Sequence, residues 1–421
     1  MSQNLPGLAF LSLFALFGGI LVVIPSEEWI VLPIYFLMLG LLAMILYVGG
    51  IRTIDPEFPG ALFFLAFVLK MLGGLARYWI VADVYQFRAD APLYHEQGQY
   101  VAQFLRQLDL SVFEWYTFRG EGTTGLIQVT AVFYTILPPS LSAMFFWFAG
   151  LAFMGSVLFY RAFCLTFPDR STNFYRIVVF FLPTILFWPS SLGKEAWIFF
   201  NIGIITYGLA LYFRRGQPLG LIMTIIPLML IFVVRPHIAT MVVLALAIAI
   251  LFSFLKIGNQ QSPIVWILGV GAIVGLGGFI LPRAQDYIGV QELSLEDIQS
   301  SYQYYQGNTS QGGSSFETYS ILSPTGFVLG IMTVLFRPFP WEADNSQMMV
   351  TALESFAWLW MAWSRRHIFL ARCRTLWTDP WVAFLVFCSL FMILAFTTFG
   401  NFGILARQRV LFLPFFWMLF A

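Results

Sequence analysis

A chain of 421 residues that is 59% hydrophobic, 19% aromatic and only 10% charged lies far from a soluble domain, in which about a quarter of the residues are charged. With a mean hydropathy of +0.81 it has too few polar side chains to cover its apolar surface in water, so an all-α, polytopic transmembrane helical bundle is expected. The net charge of +1 leaves no electrostatic footprint for nucleic acid. Cys164, Cys373 and Cys388 have neither metal spacing nor the pattern of a disulfide framework.

A crossing helix needs about 20 apolar residues. Runs 7–24, 29–50 and 60–81 qualify. The first lacks a basic leader and an Ala-x-Ala cleavage site, so it reads as a retained span. A polar segment, 82–124, follows and is expected as an external loop with an interfacial helix over 92–108. Pro92 suits a first helical turn, and Tyr94, Val101, Phe104, Leu105 and Leu108 share a face that would lie on the bilayer. Run 125–137 is thirteen residues long and ends at Pro138-Pro139, which predicts an interfacial or re-entrant piece. Runs 141–160, 174–188, 196–213, 219–234, 238–255 and 263–281 read as spans. A second polar segment, 282–318, is rich in Tyr, Gln, Ser and Gly and reads as a lid or acceptor-binding loop. Run 324–336 is again short, and 348–363, 381–398 and 410–420 complete about twelve spans in one integral membrane domain, 1–421. Most of the aromatic side chains are expected at lipid-facing and interfacial positions.

Orientation follows from the basic residues. The first connection holds Glu27 and Glu28 and no base, which argues for a cytoplasmic N-terminus. Twelve spans then bring Arg52, Arg161, Arg170, Arg214, Arg215, Lys256 and the run from Arg365 to Arg374 inside. Lys194, Arg235, Arg337, Arg407 and Arg409 are left in short external turns, against the insertion bias. Such a cluster suits a phosphate or pyrophosphate, which arginine grips bidentately.

The stretch from Pro189 to Ala196 breaks two apolar runs with Lys194 and Glu195. It is either a solvated turn or the floor of a polar site, with Gly193 freeing the backbone so that the next helix points its N-terminus at an anion. Asp90 precedes the interfacial helix, where it can cap the helix or point into a cavity. Arg235-Pro236-His237 can equally be a proline-broken turn, and Arg337 can pair with Glu342 to anchor Trp341. Lys70, near the middle of the third span, should face the bundle interior, with Arg77 nearer the mouth. No second histidine or cysteine stands at metal spacing from His237, so no metal ligand set is assigned.

The pattern Asp-Ala-x-x-Tyr-x-x-x-Gly-x-x-Val-Ala-x-x-Leu from Asp90 to Leu105 resembles the first external loop of GT-C-type glycosyltransferases. The stretches 187–195, Arg337-Pro338-Phe339-Pro340-Trp341-Glu342 and Asn401 to Arg409 are similar to bacterial membrane proteins grouped with GT-C enzymes and Wzy-like polysaccharide polymerases. The resemblance implies a GT-C-like fold in the bacterial inner membrane and transfer of a saccharide from a polyprenyl-phosphate or -pyrophosphate carrier, on the periplasmic face, to a glycan acceptor. It implies no other cofactor with certainty and leaves a divalent metal open; partners would belong to a polysaccharide assembly system. Asp90 is then the first catalytic base and Glu195 the second. Lys194, Arg235, His237, Arg337, Glu342, Arg407 and Arg409 would surround the phosphate. The alternatives are a transporter or flippase for an anionic lipid-linked saccharide, which predicts charge along a central path, and a non-catalytic subunit. Charge clustered at one face favours the enzyme.

Overall fold

In the computed structural model the described residues are 5–255, 270–271, 274–275, 277–278, 306–307, 309–310, 314–319 and 323–421. Lys256, most of the 263–281 run and most of the 282–318 segment, including Tyr302, Tyr304, Tyr305 and Asn308, lie outside them. Among the described residues the structure is helical, with one isolated antiparallel bridge between Ser315 and Asn401. Among the described residues five helices are long and apolar enough to cross a membrane: Leu5–Val23, Leu32–Ile51, Gly60–Val84, Leu141–Thr166 and Lys194–Arg215. The chain is an integral membrane protein of helical type. It divides into two compact units, residues 1–168 with 179–207, and residues 169–178 with 208–421.

The first unit opens with α1 (Leu5–Val23), α2 (Leu32–Ile45, extended by a wider turn to Ile51) and α3 (Gly60–Trp79). Then come α4 (Asp90–Arg106), α5 (Val112–Trp115), α6 (Glu121–Ile136) and α7 (Leu141–Thr166). The helix expected over 92–108 begins at Asp90 and stops at Arg106, because Leu108 takes a positive φ of 62°. Its apolar face is covered by α6 instead of lying open to the bilayer. A Cβ on Gly98 would come 2.8 Å from the Thr130 methyl, so the two helices pack at glycine distance.

The 174–188 run does not form one helix. It is divided into α8 (Asn173–Phe181) and α9 (Pro183–Phe187). Pro183 has no N–H to continue the ladder and pushes Leu182 into extended backbone, with ψ 127°. After a turn, α10 (Lys194–Arg215) runs on; α8 and α10 each carry a unit boundary. Between α7 and α10 a Cβ on Gly203 would lie 2.7 Å from Gly155 Cα, the small-residue contact by which membrane helices gain van der Waals packing. Phe58, Phe63, Phe153, Tyr160 and Phe180 form a buried aromatic core. Many aromatics expected at the lipid face are therefore core.

The second unit continues with α11 (Leu219–Val234) and α12 (Pro236–Leu255), broken at Arg235-Pro236. Next come α13 (Pro324–Phe336), α14 (Ser346–Ser364), α15 (Arg366–Cys373), α16 (Pro380–Phe396), α17 (Phe402–Arg409) and α18 (Leu413–Met418). The last expected span, 410–420, is thus a six-residue helix buried along its whole length. α16 lies against α12, α13 and α18. α14 is about 28 Å long at 1.5 Å per residue. Residues 314–316 pair with 400–402, through Phe316 N–H to Gly400 O at 2.9 Å and Phe402 N–H to Ser314 O at 3.0 Å.

Candidate functional site

In the first unit, the break between α9 and α10 is not a solvated turn. Ser190, Ser191, Leu192 and Glu195 are buried, and Lys194 is half-buried. Ser190 Oγ donates to Leu186 O at 2.6 Å, closing the end of α9. Lys70, 1% exposed on α3, donates from Nζ to the neighbouring Ile185 O at 2.6 Å. A cation meets the carbonyl end of a helix here, where the helix dipole is negative. Gly73, one turn beyond Lys70, permits this approach: a Cβ there would lie 2.2 Å from Leu186 O. Arg77 follows on the same helix and stacks over Phe187 and Trp188, at 5.2 and 5.1 Å from the ring centres. Lys194 Nζ reaches Thr123 Oγ1 on α6 at 3.4 Å. Glu195 folds back toward the turn, since a Cβ on Gly193 would lie 3.6 Å from its Oε2. Asp90 stands exposed at the first position of α4 and makes no side-chain cap bond.

A second polar group in this unit escaped sequence reasoning. Glu28 Oε2 accepts from Ser142 N–H at 3.0 Å and Ser142 Oγ at 2.7 Å, and also from Ser140 Oγ. The carboxylate therefore caps the N-terminus of α7 from more than a hundred residues away, on the side that the helix dipole favours. Nearby, Gln99 Nε2 donates to His95 Nε2 at 2.7 Å. The imidazole proton then sits on Nδ1 and is given to Tyr134 Oη at 2.5 Å. Tyr134 in turn donates to Ser140 O at 3.3 Å. Burial holds His95 below its ordinary pKa, against the pull of the Glu28 and Glu96 carboxylates. The available signal was the Glu27-Glu28 pair, which sequence reasoning used only for orientation.

In the second unit, the arginines gather around α17. Arg235 ends α11 and donates from Nη1 to Gln408 Oε1 at 2.5 Å. Arg337 ends α13, forks onto the Glu342 carboxylate, and lies over Phe316 and Phe402 at 5.1 and 5.2 Å. These rings stack on each other at 4.1 Å. The Glu342 carboxyl, which burial alone would raise, is held below its ordinary value by the Arg337 hydrogen bonds and charge and by the Phe339 N–H.

Arg409 is fully buried. It donates to Thr333 O at 3.0 Å and Ser355 Oγ at 3.1 Å, and also to Arg337 O. Ser355 is at the middle of α14, so α13 ends deep in the unit and Arg409 satisfies its terminal carbonyls. A helix end at that depth has no water to do so. Arg407 and His237 are half-buried, one at the last turn of α17 and the other at the start of α12 beside Arg235. The anchoring pair predicted for Arg337 and Glu342 is present, and Trp341 beside it is 77% exposed.

No known family, curated protein or solved structure matches this chain. Its site is therefore read from geometry alone. Among the described residues no three His, Cys, Asp or Glu side chains gather as a metal site would require. The nine predicted residues fall into two groups. Asp90, Lys194 and Glu195 belong to the first unit; Arg235, His237, Arg337, Glu342, Arg407 and Arg409 belong to the second. Within the second group hydrogen bonds and chain neighbours link Arg235, Gln408, Arg407, Arg409, Arg337 and Glu342 into one set.

Proposed function

We propose that this protein is a membrane glycosyltransferase or glycan polymerase of about twelve spans, GT-C-like or Wzy-like. It would take a saccharide from a polyprenyl-phosphate or -pyrophosphate carrier on the external face of the bacterial inner membrane, with its N-terminus in the cytoplasm. The observation that supports this reading most is the arginine set around α17, buried or half-buried, with Arg235 bonded to Gln408, between Arg407 and Arg409 in the chain. Guanidinium groups recessed in an apolar bundle suit a phosphate that arrives on a lipid and must lose its water to bind.

In this reading Arg235, hydrogen-bonded to Gln408, and Arg407, the chain neighbour of Gln408, meet the phosphate. Arg337 and Arg409 hold the end of α13 in position, and Glu342 and His237 border the set. A carboxylate takes the proton of the acceptor hydroxyl. The acceptor oxygen bonds the anomeric carbon as the bond from that carbon to the phosphate oxygen breaks, and the electron pair leaves with the lipid phosphate.

One observation favours a transporter or flippase for the same lipid-linked saccharide: Lys70 is buried in a span with a main-chain carbonyl as its acceptor. The two readings separate in membrane vesicles supplied with a labelled polyprenyl-linked saccharide. An enzyme yields a new glycosidic product that Arg235→Ala and Arg407→Ala suppress and Lys70→Met leaves. A transporter moves the label without making product, and Lys70→Met stops it.

A further inference from the structure

The end of the second unit that carries the α14–α15 junction is as basic as the α17 region, and no function above uses it. Four segments meet there. Arg214 pairs with Asp379 at 2.6 Å, joining the end of α10 to the start of α16. Arg365 lies over Phe174 at 3.8 Å, joining α15 to α8. Arg372 is buried at the junction, its guanidinium pushed down to about 10 by burial and by Arg170 and Arg214, against Asp379. These segments hold Arg170, Arg176, Arg214, Arg215, Arg365, Arg366, Arg372 and Arg374 against only Asp169 and Asp379.

Several of these bases have work within the fold. Arg365 donates to Phe420 O at 3.1 Å and Arg372 to Ala421 O at 2.9 Å, in the residues just past α18. Arg366 donates to Trp363 O at 2.8 Å. Arg170, Arg215 and Arg374 are exposed and face no carboxylate among the described residues. Beside them stand large apolar groups open to the surroundings: Trp363 and Trp377, each 67% exposed, and Leu370, 55% exposed.

We infer that this end of the second unit binds the headgroup of an anionic phospholipid. Arg170, Arg215 and Arg374 meet its phosphate, and Trp363, Trp377 and Leu370 meet the acyl chains below it. Positive charge alone would serve any anion. Indoles and a leucine exposed beside it are what a lipid adds, since tryptophan settles where headgroups meet hydrocarbon. Each arginine near an anionic surface strengthens binding about fivefold. The inference does not depend on the glycosyltransferase reading.

The test uses the purified full chain in non-ionic detergent. Its melting temperature is measured with phosphatidylglycerol, phosphatidylcholine or inorganic phosphate, and retained lipid is counted by native mass spectrometry. Phosphatidylglycerol is expected to raise the melting temperature and stay bound, and the other two to do neither. The triple variant R170Q/R215Q/R374Q should lose that preference while melting normally in phosphatidylcholine. Equal effects of the two lipids, full stabilisation by phosphate alone, or an unchanged preference in the triple variant would each overturn the inference. Should the triple variant not fold, R374Q alone is expected to retain phosphatidylglycerol about fivefold less, and unchanged retention overturns the inference.

Discussion

The two units solve the same problem with opposite charges. In the first, a glutamate far away in sequence, Glu28, seals the N-terminus of α7 by accepting from Ser142 N–H and two serine hydroxyls. In the second, Arg409 seals the C-terminus of α13 by donating to two of its carbonyls and to Ser355. The pattern extends further: Lys70 closes α9, and Arg106 donates to Tyr134 O at 2.5 Å in the last turn of α6. A charge inside a membrane bundle can thus be balanced by a helix end as well as by an opposite charge. A base on the disfavoured side of the membrane is therefore weaker evidence for a ligand than its position suggests. The functional proposal is carried instead by Arg235 and Arg407, which meet at Gln408 and seal no helix end described above.

The comparison can be broken by substitution. The largest effect is expected at Arg409. Arg409→Met leaves Arg337 O and Ser355 Oγ without this donor and Thr333 O with only the Arg337 N–H, each lost bond being worth about 1–3 kcal/mol, so a loss of about 3 kcal/mol should appear in the melting temperature in detergent. Arg409→Lys should recover less than half of it, because an ammonium lacks the fork that reaches two carbonyls together. A melting temperature unchanged in Arg409→Met would remove its capping role.

Glu28→Gln keeps the shape and loses the charge at the start of α7, so about 1 kcal/mol is expected. The same change at exposed Asp90, which makes no cap bond, should leave stability almost unaltered. If Glu28→Gln and Asp90→Asn melt alike, the contrast between a sealing and a free carboxylate fails.

The smallest effect concerns pH. The folded Glu342 carboxyl lies below its ordinary value of 4.5, so its pairing with Arg337 adds stability above that pH and loses it as pH falls through the folded value. The advantage of wild type over Glu342→Gln should hold steady from neutral pH to about 5 and shrink below 4.5. An advantage independent of pH would mean that the carboxylate acts through packing alone.

Helix type and the long apolar helices α1, α3, α7 and α10 were legible because hydropathy over about 20 residues is a local property. The Arg337–Glu342 pair was legible for the same reason, its members being five residues apart. The division of α8 from α9 was readable at Pro183 but hidden by the apolar average around it. The sealing of α7 by Glu28, of α9 by Lys70 and of α13 by Arg409 joins residues 76 to 115 or more positions apart, and no pattern in sequence marks such pairs. Burial of the 189–196 turn had the same cause, since it depends on Gly73 of another helix.

The central claim is that Arg235 and Arg407 serve glycosyl transfer from a lipid phosphate. It is tested most directly by incubating membrane vesicles with a labelled polyprenyl-pyrophosphate saccharide and resolving the glycan formed. Wild type and Lys70→Met should make the product, and Arg235→Ala and Arg407→Ala, at equal protein level, should each lower its rate about a hundredfold. Product formation at the wild-type rate in both arginine variants, or label crossing the membrane with no new glycosidic bond, would contradict it.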